Sequence, residues 1–134
     1  MTIPTSDRGT RQQVLGYVGA VLLLLIIPVK LLRYWSPTGQ MIVGVAPSLL
    51  GPSGLLFLLL SSPGRLSKLT LVQMAILVGA MSVGLELAQL LPRPGILGRV
   101  PYTFDVLDLL ASVLSVSVSA AIAGPVLRRG GSRK

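Results

Sequence analysis

Apolar residues along this chain come in four long runs, separated by short breaks rich in charge, proline or glycine. The first run, "VLGYVGAVLLLLIIPVKLL", covers 14–32, and the second, "MIVGVAPSLLGPSGLLFLLLSS", covers 41–62. The third, "LTLVQMAILVGAMSVGLELAQLL", covers 69–91, and the fourth covers 104–127. Each is close to the roughly 20 residues that a helix needs to cross the hydrocarbon of a bilayer. The pattern predicts an all-α integral membrane protein, a four-span helical bundle in one domain over 1–134, with a basic flexible tail at 128–134. The second span is broken by Pro47, Gly51, Pro52 and Gly54. Such breaks are tolerated where neighbouring protein or water serves the freed backbone groups. Two forms fit, a kinked span or a partly unwound stretch lining a cavity.

Composition supports lipid as the solvent. Charged residues make up 12% of the 134, against about 25% in a soluble domain. The net charge of +8 does not indicate nucleic acid, because nearly all the cations flank apolar runs and form no basic stripe interleaved with aromatics. Arg8 and Arg11 precede the first run, and Tyr34 and Trp35 follow it as interfacial anchors. That run is long for a cleaved signal peptide, and no A-x-A site follows it. With four spans, Arg8, Arg11, Arg65, Lys68, Arg128, Arg129, Arg133 and Lys134 share one side, and Lys30, Arg33, Arg93 and Arg99 the other. Eight against four predicts both termini in the cytoplasm. The Pro- and Gly-rich loop "PRPGILGRVPY" between the third and fourth spans then faces outward.

The chain has neither Cys nor His, which excludes disulfides, a thiol nucleophile, an imidazole base and an ordinary zinc site. No Gly-rich phosphate loop is present, and no metal or cofactor is expected. Chemistry falls to Glu, Asp, Arg, Lys, Ser, Tyr or the backbone.

Two polar stripes stand out. Asp105, Asp108, Ser112, Ser115 and Ser119 step by three, four, three and four, and so share one helix face. Gly79, Ser82, Glu86, Gln89 and Arg93 follow the same steps in the third span. Consecutive spans joined by a short loop are expected as antiparallel neighbours. The two stripes should then meet, with Arg93 level with Asp105 or Asp108, Glu86 with Ser112, and Gly79 with Ser119. Small residues let helices approach, so packing alone accounts for the deeper half of this seam. Glu86 is different, because a carboxylate inside a span is costly and needs a partner. Either it forms an ion pair that fixes the hairpin, or it belongs to an outward pocket of Glu86, Gln89, Arg93, Arg99, Asp105, Asp108 and Ser112.

The segments "ELAQLLPRPG" and "GRVPYTFDVLDLLAS" together resemble the VanZ-like membrane proteins, whose signature joins a Glu-x-x-Gln to an Arg and then to an Asp-rich start of the last span. "LLGPSGLLFLL" is similar to that family's Phe-x-Pro-x-Gly segment, with Pro52 and Gly54 matching and the Phe absent. The resemblance covers roughly 48–123. Asp108 aligns with the family's main Asp, while Ser112 and Ser115 stand where Asn and Gly are usual. The resemblance implies a role in the cell envelope of a bacterial plasma membrane, in a family named for low-level resistance to the glycopeptide antibiotic teicoplanin.

Several functions fit these residues. The pocket could engage a lipid-linked cell-wall precursor or glycopeptide-related ligand, with Arg93 and Arg99 on a phosphate. Glu86 could serve a membrane enzyme as acid or base. The small-residue seam could dock on a protein partner, making the chain a scaffold or a subunit of a larger envelope complex. A proton-coupled exporter would want its Glu nearer mid-membrane than Glu86 lies.

Overall fold

The structure, a computed structural model, describes residues 6–35, 40–88, 91 and 105–128. Four helices account for nearly all of them: α1 Ser6–Trp35, α2 Gln40–Ser61, α3 Leu71–Ala88 and α4 Val106–Arg128. A single 3-10 turn, Arg65–Lys68, lies between α2 and α3. All four helices are long and apolar enough to cross a membrane. They make an all-α, four-helix bundle.

The helix ends follow from local chemistry. α1 is 30 residues long, about 45 Å at 1.5 Å per residue, against a hydrocarbon thickness of about 30 Å. Its polar first turns therefore outrun the apolar stretch, which begins near Gly9. α3 starts two residues later than the apolar run suggests, because Thr70 and Gln73 form a reciprocal capping box. The Thr70 N–H donates to Gln73 Oε1 at 2.9 Å and the Gln73 N–H to Thr70 Oγ1 at 3.2 Å. α4 starts at Val106 because Asp105 caps it, accepting the Leu107 N–H on Oδ1 at 2.9 Å. The turn after α2 passes through Gly64, whose φ of 101° suits a residue without Cβ.

α2 is the hub. It packs against α1 on one side and against α3 and α4 on the other, whereas α1 touches α4 only slightly. Despite Pro47 and Pro52 it is one continuous helix, with no unwound stretch. The α1–α2 contact is set by glycines. A Cβ on Gly19 would lie 2.7 Å from the Gly54 carbonyl oxygen and 2.8 Å from the Leu58 nitrogen, so the two backbones touch there. The core draws on every helix: Leu15; Leu56, Phe57 and Leu60; Met74 and Val78; Val116 and Ala123. Outside it the helices are apolar and bare. Only 11% of the apolar window of α1 and of α3 is buried, and Leu24, Ile76, Leu85 and Leu114 are each at least 60% exposed. Surface of that kind belongs against lipid tails.

Candidate functional site

The serine stripe of α4 faces α2, which corrects the expected seam between α3 and α4. The Ser112 hydroxyl donates to the Ser48 carbonyl at 3.2 Å. Ser115 donates to the Leu49 carbonyl at 2.5 Å, and its oxygen also lies 2.5 Å from Ser53 Oγ. Ser119 donates to Ser53 Oγ at 2.9 Å. All three α4 serines are buried. Numbers rise together along the two helices, so α2 and α4 run parallel, as alternate spans of a four-helix chain must.

Pro52 supplies the reason. A helical N–H at position 52 would serve the carbonyl of residue 48, and proline has none. The Ser48 oxygen is left without its usual intrahelical donor, and the buried Ser112 hydroxyl bonds it instead. The "GPSG" quartet at 51–54 thereby divides its work. Gly51 and Gly54 turn toward α1, Pro52 frees a carbonyl, and Ser53 meets the serines of α4.

The α3 stripe does not mesh with these serines. Ser82 bonds back to the Val78 carbonyl of its own helix at 2.9 Å, and a Cβ on Gly79 would meet nothing within 4 Å. α3 and α4 do pack together, but through Met74 and Val78 with Val116 and Ala123 in the shared core. Sequence periodicity identified the right face of α4 and the wrong neighbour. The missed signal was Pro52, whose freed carbonyl calls for a hydroxyl.

One contact fixes the α3–α4 register: a Cβ on Gly124 would lie 3.7 Å from Leu71 Cδ2. Fifteen residues on, the antiparallel pairing brings Glu86 level with residue 109, beside Asp108 and one turn away from its expected level with Ser112. The α2–α4 pairing of Ser48 with Ser112 puts Gly44 at that same level, and a Cβ on Gly44 would meet nothing within 4 Å. Among the described residues, this end of the bundle thus carries two half-buried acids, Glu86 and Asp108, beside a flank of α2 that none of those residues covers at Gly44.

The acids differ in role. Asp105 is exposed and caps α4. Asp108 sits in the first helical turn, where the macrodipole favours an anion, yet its Oδ1 is buried and accepts no hydrogen bond. Among buried side-chain oxygens and nitrogens of the described residues, Asp108 Oδ1 alone is left so. A buried carboxylate oxygen without a donor costs free energy, which a donor from elsewhere would recover. Ser112, by contrast, is already engaged with Ser48. Gln89, Arg93 and Arg99 lie outside the described residues. Among the described residues no group of three or more acids is placed to hold a metal ion.

An open groove of about 200 Å³ runs beside the serine network, lined by Leu49, Ser53, Leu114, Ser115 and Val118. Its hydroxyls are spent on one another and on α2 carbonyls, so it presents chiefly apolar walls. Comparison with protein-family models, curated proteins and solved structures finds no match for this chain.

Proposed function

We propose that this chain is a multi-pass protein of a bacterial plasma membrane that receives a polar ligand at the outward end of the bundle, between the end of α3 and the start of α4. The observation that supports this reading is the buried, donor-less Oδ1 of Asp108 at the level of Glu86. A buried carboxylate oxygen without a donor suits a ligand that brings a hydroxyl or amide donor. Arg93 and Arg99, which fall between α3 and α4 in the sequence, are the residue type that recognises phosphate. A lipid-linked cell-wall precursor combines a sugar headgroup, a diphosphate and a membrane anchor, and fits that combination. The resemblance of "ELAQLLPRPG" and "FDVLDLLAS" to VanZ-like proteins supports the same envelope role. Asp105 and Ser112 then act as positioning residues, one capping α4 and the other holding it to α2.

The outward direction rests on the eight-to-four distribution of Lys and Arg. Single cysteines at Ser36 and Gly98, but not at Ser67 and Ser132, should react with an impermeant thiol reagent on intact cells. The ligand is tested by native mass spectrometry of detergent-extracted protein incubated with a polyprenyl-diphosphate-linked sugar. Wild type should retain the lipid, and Asp108→Asn and Glu86→Gln should lose it. Asp108→Asn should fold within about 1 kcal/mol of wild type, since it forfeits only the dipole interaction of a first-turn acid. Retention by Asp108→Asn, or none by wild type, would overturn the reading.

A further inference from the structure

The opposite end of the bundle gathers cations. Arg65 and Lys68 are exposed on the 3-10 turn, Arg128 is exposed at the end of α4, and Arg11 is half-buried on α1. Gly16 lies against Ser61, the last residue of α2, so Arg11, five residues earlier on the antiparallel α1, lies past that helix end. Leu71, the first residue of α3, lies against Gly124, so Arg128, one turn further along α4, lies past the start of α3. Three separate elements thus bring cations to one end of the bundle. Their placement is fixed from below. Leu66, Leu69 and Leu127, next to those cations in sequence, pack against the core cluster. The Leu69 N–H closes the turn onto the Leu66 carbonyl at 3.0 Å. Arg11 donates to the Val126 carbonyl at 3.5 Å, tying the first turns of α1 to the last turn of α4.

Acids are elsewhere. Glu86, Asp105 and Asp108 are all at the far end of the bundle, and of the four acids in the sequence only Asp7, in the first turn of α1, is near this one. The C-terminal poles of α2 and α4 offset part of the positive charge, but a helix end carries only about half a unit charge. The turn has leucines directed into the bundle and cations directed out of it, at the depth where the helices end. That is the geometry of a side chain set reaching for phosphates in a headgroup layer.

We propose that Arg65, Lys68 and Arg128, with Arg11 behind them, form a binding site for the headgroup of an anionic phospholipid. Each exposed cation contributes attraction to an anionic leaflet that falls off within a Debye length. The site lies at the other end of the molecule from the Glu86–Asp108 niche and does not depend on it.

The test is native mass spectrometry of the full chain in a non-ionic detergent. It is titrated with dioctanoyl phosphatidylglycerol, dioctanoyl phosphatidylcholine or glycerol phosphate. Phosphatidylglycerol should bind at least about 10-fold more tightly than phosphatidylcholine, and glycerol phosphate at equal concentration should not compete. Arg65→Gln with Lys68→Gln should weaken phosphatidylglycerol binding about 30-fold, from about a factor of five for each cation. Lys30→Gln, at the other end, should leave it unchanged. The charge-keeping pair Arg65→Lys with Lys68→Arg should retain the affinity, and covers the case in which the glutamine pair fails to fold. Raising salt to about 0.5 M should weaken binding to wild type. Equal affinity for the two lipids, competition by glycerol phosphate, full binding by the glutamine pair, or loss of binding in the charge-keeping pair or in Lys30→Gln would each overturn the proposal.

Discussion

If Ser112 exists to serve the carbonyl that Pro52 orphans, the two positions must be energetically coupled, and a double-mutant cycle measures the coupling. Ser112→Ala removes a hydroxyl on a side chain only 2% exposed, 3.2 Å from the Ser48 oxygen. With proline at 52 the amide that would ordinarily serve that oxygen is missing. A buried carbonyl left unserved costs about 1–3 kcal/mol, and side-chain hydrogen bonds between membrane helices average about 0.6 with a maximum near 1.7 kcal/mol. The orphaned acceptor belongs at the upper end of the membrane range, so about 1.5 kcal/mol is expected. In the Pro52→Ala background the restored amide serves Ser48, and Ser112→Ala should then cost about 0.5 kcal/mol. The coupling is the difference, about 1 kcal/mol, a five-fold change in the folding equilibrium. Losses specific to the proline ring, including its packing in the buried site at 52, cancel in the cycle. Reversible unfolding in mixed micelles, followed by far-ultraviolet circular dichroism, gives the four free energies. Additivity within about 0.3 kcal/mol would refute the reasoning, because the serine would then do the same work whether or not the carbonyl has its own donor.

The α1–α2 crossing is tested by Gly19→Leu, whose Cβ meets two backbone atoms of α2 within 2.8 Å. It should destabilise by about 3 kcal/mol, while Gly9→Leu, with nothing within 4 Å, should be neutral; equal effects in the same unfolding assay would argue against close contact. Cysteines at Ser53 and Ser115 should form a disulfide under mild oxidation, and cysteines at Ser82 and Ser115 should not; the reverse would restore the α3–α4 seam.

The fold was legible in the sequence because lipid imposes one strong rule, apolar runs of a fixed minimum length, and the chain obeys it four times. The ends were less legible. Thr70 and Asp105 set the starts of α3 and α4 through capping, a local chemistry that the apolar runs alone do not locate. At the candidate site, periodicity showed that Asp108, Ser112, Ser115 and Ser119 share a face, but a face has no address. Sequential neighbours are the natural guess for a partner, and the serines instead meet α2, at the Ser48 and Leu49 carbonyls and the Ser53 hydroxyl. The Gly19–Gly54 contact was hidden for a different reason. Glycines are scattered through the spans, and only the three-dimensional crossing separates those that touch a backbone from those, such as Gly79 and Gly84, that face open space.

The Ser112–Ser48 bond also has a consequence for synthesis. The α1–α2 hairpin is made first, yet its Ser48 carbonyl must wait for a serine 64 residues further along. At about 5–20 residues per second, that interval lasts roughly 3–13 s. For that time the newborn hairpin holds a bare acceptor at membrane depth, and a bilayer offers it nothing. Water in the insertion channel, or a polar group of the insertion machinery, must stand in until α4 arrives. A chain of this design is thus tied to a lateral exit slow enough to keep its second span wet, and speeding translation between Ser62 and Ser112 would shorten the vulnerable period.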